Sequence, residues 1–175
     1  MPEVLSCVNL VRAPTREINS AACQRHSVIG SSKSAQCRRL LRAEIKNEQV
    51  LFLEEGIAVT VWRRGTAPGF RGGGTGRFSG AFAITDRRIV ASISKTVMVD
   101  ASFEVKEAPG AEASLAEDGL HVKVDASIHP RCSGEIEMHF KHEFTNEHLS
   151  RFPHSRVSFN FPVELVPKIF GVPVK

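Results

Sequence analysis

WRRGTAPGFRGGGTGRFSGAFAITDRRIV, Trp62 to Val90, holds six arginines, seven glycines and a single acidic residue, Asp86. The stretch reads either as a glycine-rich phosphate cradle or as a connection between two strands. A phosphate-binding loop of the G-x-x-x-x-G-K-[ST] kind must follow a strand and open a helix. Gly69 and Gly74 have that separation, but Thr75 and Gly76 follow them. A dinucleotide fingerprint fails as well, because Arg77 stands where the third glycine belongs after Gly72 and Gly74. The residues that follow, RFSGAFAIT, alternate like a strand, so no helix N-terminus would face a phosphate. The segment therefore reads as a long β-hairpin whose loop is the Arg/Gly-rich stretch 63–77, with glycine supplying positive φ angles.

Outward from this hairpin the period of two continues. Ile57, Val59 and Val61 precede it, alternating with Ala58, Thr60 and Trp62. Phe78, Gly80, Phe82 and Ile84 alternate with small residues, and the runs 88–94 and 96–103 follow. Leu120, Val122, Val124, Ala126 and Ile128 alternate with His121, Lys123, Asp125 and Ser127. Ile136, Met138 and Phe140 alternate with Glu135, Glu137, His139 and Lys141, and Val157, Phe159 and Phe161 close the series. Short strands broken by Gly, Pro and Asp predict a mainly β fold, a small antiparallel barrel or sandwich. Ahead of it, Cys37, Leu40, Leu41 and Ile45 form one helical stripe behind Ser34, a good N-cap, which predicts a helix over about 35–47. A second short helix is expected at 145–152. Residues 1–33 show no period and read as a flexible N-terminal extension, 34–161 as the domain. Prolines 162, 167 and 173 make 162–175 an extended C-terminal tail that packs Leu165, Ile169 and Phe170 on something.

The net charge of +4 is unevenly placed. Residues 1–47 carry +5, residues 62–88 carry +5, and residues 89–175 carry −3. A basic front half suits anionic partners such as lipid headgroups or nucleic acid, or equally a solvated surface with a basic tail. No apolar run approaches the roughly 18 residues of a membrane span. VLSC at Val4–Cys7 looks like a lipoprotein cleavage box, but only six residues precede Cys7, too few for a secretion signal. Cys7, Cys23, Cys37 and Cys132 have neither C-x-x-C pairing nor metal spacing, and read as reduced thiols of a cytoplasmic protein.

RFSGAFAITDRRIVASIS, preceded by IKNEQVLFLEEG, resembles the PH-like superfamily, especially bacterial PH and GRAM-type domains. In these a strand of the pattern G-x-f-x-l-T ends at Thr and a turn leads to R-l-i. Gly80, Phe82, Ile84, Thr85, Arg88 and Ile89 stand at those positions. The match covers about residues 45–95. It implies a barrel of about seven strands, with binding of a lipid headgroup, peptide or partner protein rather than catalysis. It also places basic residues of the first two strands and their loop against a headgroup, and Arg63, Arg64, Arg71 and Arg77 occupy comparable places. The chain departs from the pattern in lacking a closing helix with its Trp, since its one Trp is Trp62.

The remaining constellations are weaker. His139 and His142 lie three apart and on a strand would point to opposite faces. His121 and His129, and His148 and His154, have no known ligand spacing, so no metal site is expected. Glu135, Glu137, His139, Lys141 and Glu143 share one strand face, which reads as its wet side. No G-x-S-x-G occurs. Arginines interleaved with Trp62, Phe70 and Phe78 make only a faint nucleic-acid signature, and nucleic acid is not expected. The expectation is thus a non-enzymatic binding module without cofactor, cytoplasmic or peripheral at a membrane. It would meet an anionic lipid or a protein partner through Arg63, Arg64, Arg71 and Arg77. The alternative is a structural or assembly protein whose barrel and tails dock on another subunit.

Overall fold

The computed structural model describes residues 41–105 and 108–172. The expected extension 1–33, Ser34 and the first part of the helix expected at 35–47 lie outside the described residues; residues 41–44 are helical. Eight strands follow: β1 (Val50–Ala67), β2 (Phe70–Thr85), β3 (Arg88–Ile93), β4 (Thr96–Ser102), β5 (Ala111–Ala116), β6 (Gly119–Asp125), β7 (Ser133–Lys141) and β8 (Arg156–Ser158). They form one antiparallel sheet in the order β4-β3-β2-β1-β7-β6-β5-β8, and its outer strands β4 and β8 approach each other. The sheet curls into a nearly closed barrel, in agreement with the mainly β expectation. Phe82, Phe140, Phe159, Ile84, Leu120 and Met138 fill its interior.

β1 starts at Val50, seven residues before the alternation becomes visible at Ile57. The reason is a bulge. Gly56 takes φ 74°, and the register to β2 shifts between Glu55 and Ile57. Before the bulge Phe52 points inward; after it Ile57, Val59 and Val61 do. One extra residue reverses the phase of the side chains. Leu53 is thereby turned to the outer face, where it joins Ala81, Ala83 and Val90. Leu41 and Ile45 of the helical segment cover this patch and are themselves buried, making a second small core. Arg42 bonds Glu55 at 3.0 Å and ties the segment to β1.

The turn from β2 to β3 follows the expected chemistry. Thr85 Oγ1 accepts hydrogen bonds from the Arg87 and Arg88 backbone N–H groups, and Asp86 accepts one from Gln49 N–H. Arg88 donates to Glu48, to both carboxylate oxygens of Asp100 and to the Glu44 carbonyl. Burial pushes the Glu48 carboxyl up, but hydrogen bonds from Arg88 and Thr85 outweigh it and leave the group below the usual carboxylate range.

Four expectations need correction. Stretch 63–77 is not a loop: the hairpin turns at 68–69, and residues 70–76 pair in unbroken register with Val61–Ala67. Glycine lacks a side chain but keeps its N–H and C=O, so a strand already held by β7 on its far side templates the pairing. β5 was absent from the expected strands because AEASLA is rich in helix formers; burial of Ala111, Ala113 and Leu115 against β6 and β8 overrides that preference. Residues 126–128 leave the sheet as a 3₁₀ turn, capped by Asp125 accepting from Ser127 N–H. Finally, the tail is not extended. Leu165–Ile169 is helical, with Leu165, Val166 and Phe170 buried, so the domain runs past 161. Pro167 is tolerated because the first N–H groups of a helix have no partner to lose. The helix expected at 145–152 is present as Asn146–Ser150, capped by Thr145.

His142 sits among Phe52, Phe82 and Phe144, with ring centroids at 4.8, 6.3 and 4.7 Å. Burial pulls its pKa below the ordinary 6.5, against the opposing pull of Glu54 and Glu143 and helped by His148. The proton thus prefers the unfolded chain. This contribution to stability is complete above the unfolded value and is lost as pH falls through the folded one. Urea melts of the parent should therefore weaken as pH drops below about 6.5, and His142→Phe should flatten that slope. An unchanged slope would mean that His142 takes up its proton without cost in the fold.

Candidate functional site

The pairing of β1 and β2 sorts the four arginines. Val61, Arg63 and Ala67 belong to the inward face of β1, opposite Gly76, Gly74 and Phe70. Side chains alternate along a strand, so Arg64, paired with Gly73, faces out; so do Arg71, paired with Thr66, and Arg77, paired with Thr60. These three are exposed. Trp62, 41% exposed, lies on the same outer face.

Arg63 is not part of that face. Its guanidinium donates to the Ile169 carbonyl and lies over the Phe70 ring, 5.2 Å from the centroid. Its Nε is buried without a hydrogen-bond partner among the described residues. Phe70 in turn meets Phe170 at 5.2 Å. Arg63 thus fastens the C-terminal helix beneath the hairpin, and the expected cluster of four becomes three. The cleft beside it, about 250 Å³, is lined by Val61, Phe78, Met98 and Leu165, with Arg63 and Lys168 as its charged members.

The arginine face also has neighbours that were not visible along the chain. β7 pairs with β1 so that Glu135 stands opposite Arg64 and Glu137 opposite Trp62. The charge is therefore bordered by carboxylates on one side. Glu137 is engaged by Lys123 at 3.4 Å. No ion pair joins Arg64, Arg71 or Arg77 to a carboxylate among the described residues.

A second constellation was missed altogether. The register of β6 and β7 sets His121 directly opposite His139. Their rings stack at 4.3 Å with 12° between planes. Asp118, in the turn before β6, accepts from His121 Nε2 at 2.8 Å, and its carbonyl meets His139 Nε2 at 2.9 Å. The bond from His121 holds the Asp118 carboxyl below its ordinary range, against a smaller opposing effect of burial. Among the described residues these three form a group able to hold a metal, where none was expected. The signal available in the sequence was symmetry: both histidines lie nine positions from Pro130, the centre of the hairpin. The row Glu135, Glu137, His139 and Lys141 is otherwise the solvent side of β7, as expected.

Cys132 is a free, buried thiol, and burial pushes its pKa up, which makes it a poor nucleophile. No helix among the described residues is long and apolar enough to cross a membrane. Neither protein-family models, nor curated proteins, nor solved structures gave a match to the chain.

Proposed function

We propose that the chain is a non-enzymatic binding module of the PH/GRAM kind that engages an anionic lipid surface through the outer face of its β1–β2 hairpin. The observation that carries this reading is the shared exposure of Arg64, Arg71 and Arg77 around an exposed indole, Trp62, on one sheet face. Guanidinium groups take phosphate oxygens in pairs, and an indole suits the boundary between headgroups and acyl chains. Each basic residue near such a surface contributes about 1 kcal/mol. Three together change the partition by roughly two orders of magnitude. Glu135 and Glu137 oppose binding at one border, so the association is peripheral and sensitive to salt. A second reading, docking on a protein partner, is favoured by a different feature. Among the described residues, the stretch 70–78 of β2 pairs with no strand but β1, which leaves an edge open to strand addition.

Sedimentation with vesicles of phosphatidylcholine, with and without phosphatidylserine, at low ionic strength tests the first reading. The parent chain should pellet with the anionic vesicles only and should come off as salt rises. The triple variant R64S/R71S/R77S should stay in solution with an unchanged Tm, because exposed positions of this kind shift stability by less than about 0.5 kcal/mol. A parent that ignores anionic vesicles at low salt removes the lipid reading and moves the open β2 edge to first place.

A further inference from the structure

We propose that Asp118, His121 and His139 bind a divalent transition-metal ion of the zinc class on the outer face of the β6–β7 pair. The two imidazoles and the carboxylate each offer one donor atom, and these atoms all lie within 4.8 Å of one another. Two nitrogens and an oxygen are a donor set that zinc accepts, and imidazole also suits copper and nickel. Tetrahedral zinc with bonds near 2.1 Å separates its ligand atoms by about 3.4 Å. His121 Nε2 stands 2.8 Å from Asp118 Oδ1, and His139 Nε2 stands 3.5 Å from Asp118 Oδ2. Small rotations of the rings and the carboxylate therefore close the coordination sphere, without movement of the strands.

The backbone holds these groups in place. Both histidines come from paired strands, which hold their Cα atoms opposite one another. Asp118 belongs to a tight turn whose carbonyls are anchored to the chain leaving β7. His142 N–H donates to Asp118 O at 3.1 Å, and Phe144 N–H to Glu117 O at 2.8 Å. Gly119 makes the close approach possible, since at φ 134° its missing side chain would otherwise collide with the Phe140 carbonyl. The Asp118 side chain is 61% exposed, so a fourth position remains open to water. On binding, both imidazoles give up their Nε2 hydrogen bonds to Asp118, His121 that to the carboxylate and His139 that to the backbone carbonyl, and each Nε2 then presents a lone pair.

The experiment is cobalt titration of the full, untagged chain followed by absorption spectroscopy, together with zinc calorimetry. Cobalt distinguishes this site from thiolate ligation by Cys7, Cys23 or Cys37. The expected result is one ion per chain, ligand-field bands without thiolate charge-transfer absorption, and loss of the signal in His121→Gln and in His139→Gln. Asp118→Asn, which keeps the shape of the turn, should weaken binding in both titrations and guards against misfolding of a histidine variant. Absence of saturable binding, thiolate bands, or binding unchanged in the two histidine variants would each overturn the proposal. The outcome is separable from that of the vesicle experiment, because metal binding is read on variants of Asp118, His121 and His139 and vesicle binding on variants of Arg64, Arg71 and Arg77.

Discussion

Phe82→Ala should lower the unfolding free energy by about 3–5 kcal/mol, read as a drop in the urea midpoint at unchanged slope. Phe82 is fully buried in the C-terminal part of β2, with strands on both sides: Glu54 opposite it on β1 and Ala91 on β3. Its ring meets Phe52 at 5.3 Å, Phe144 at 6.0 Å and Phe140 at 6.3 Å. Truncation removes apolar contact from all of them and leaves a hole in the middle of the barrel. The β ladder on either side keeps the neighbours from collapsing into that hole, which places the loss toward the upper end of the range. Phe82→Leu, which refills part of the volume, should cost less than half as much. A variant that melts with the parent would put the ring in solvent and shift the β2 register by one residue, since a one-residue slip exchanges the two faces.

Gly134→Ala should be nearly as damaging, at about 3 kcal/mol or more from backbone strain and overpacking together. Gly134, the second residue of β7, has φ 104° and pairs with Gly65 of β1, which has φ 149°. An added Cβ at 134 would stand 2.0 Å from the Arg64 carbonyl oxygen, a backbone atom that cannot rotate away. The two glycines let β1 and β7 approach near the turn of the β1–β2 hairpin, at the end of the β1–β7 ladder. The measurement is again a denaturant midpoint. Gly69→Ala serves as a contrast: it shares a positive φ, but its Cβ would meet open space, so only the backbone penalty applies. Equal losses in the two variants would mean that the close approach at Gly134 contributes nothing.

Alternation made the barrel legible. Leu120–Val124 and Ile136–Phe140 are buried on alternate residues as their pattern requires, and the Thr85–Arg88 turn forms the hydrogen bonds that its residue types favour. These features depend on neighbours a few positions away, so local chemistry suffices. Two others do not. The glycines 72–74 look like a loop to any local rule, yet they are a strand because β1, itself held by β7, supplies the partner groups. β5 consists of good helix formers and becomes a strand only between β6 and β8.

The candidate sites divide in the same way. That arginines gather on the hairpin follows from their positions along the chain, and any antiparallel pairing would assemble them. Which of them face outward depends on register. An odd or even position decides that Arg64 is exposed while Arg63 lies over the Phe70 ring and binds the Ile169 carbonyl, 106 residues away. His121 and His139 are eighteen positions apart and become neighbours only because β6 and β7 pair about Pro130. Composition and periodicity are properties of single segments and can be read from them. Strand pairing, by contrast, is a choice among distant segments, made by the burial of whole faces at once, and it decided which polar groups meet.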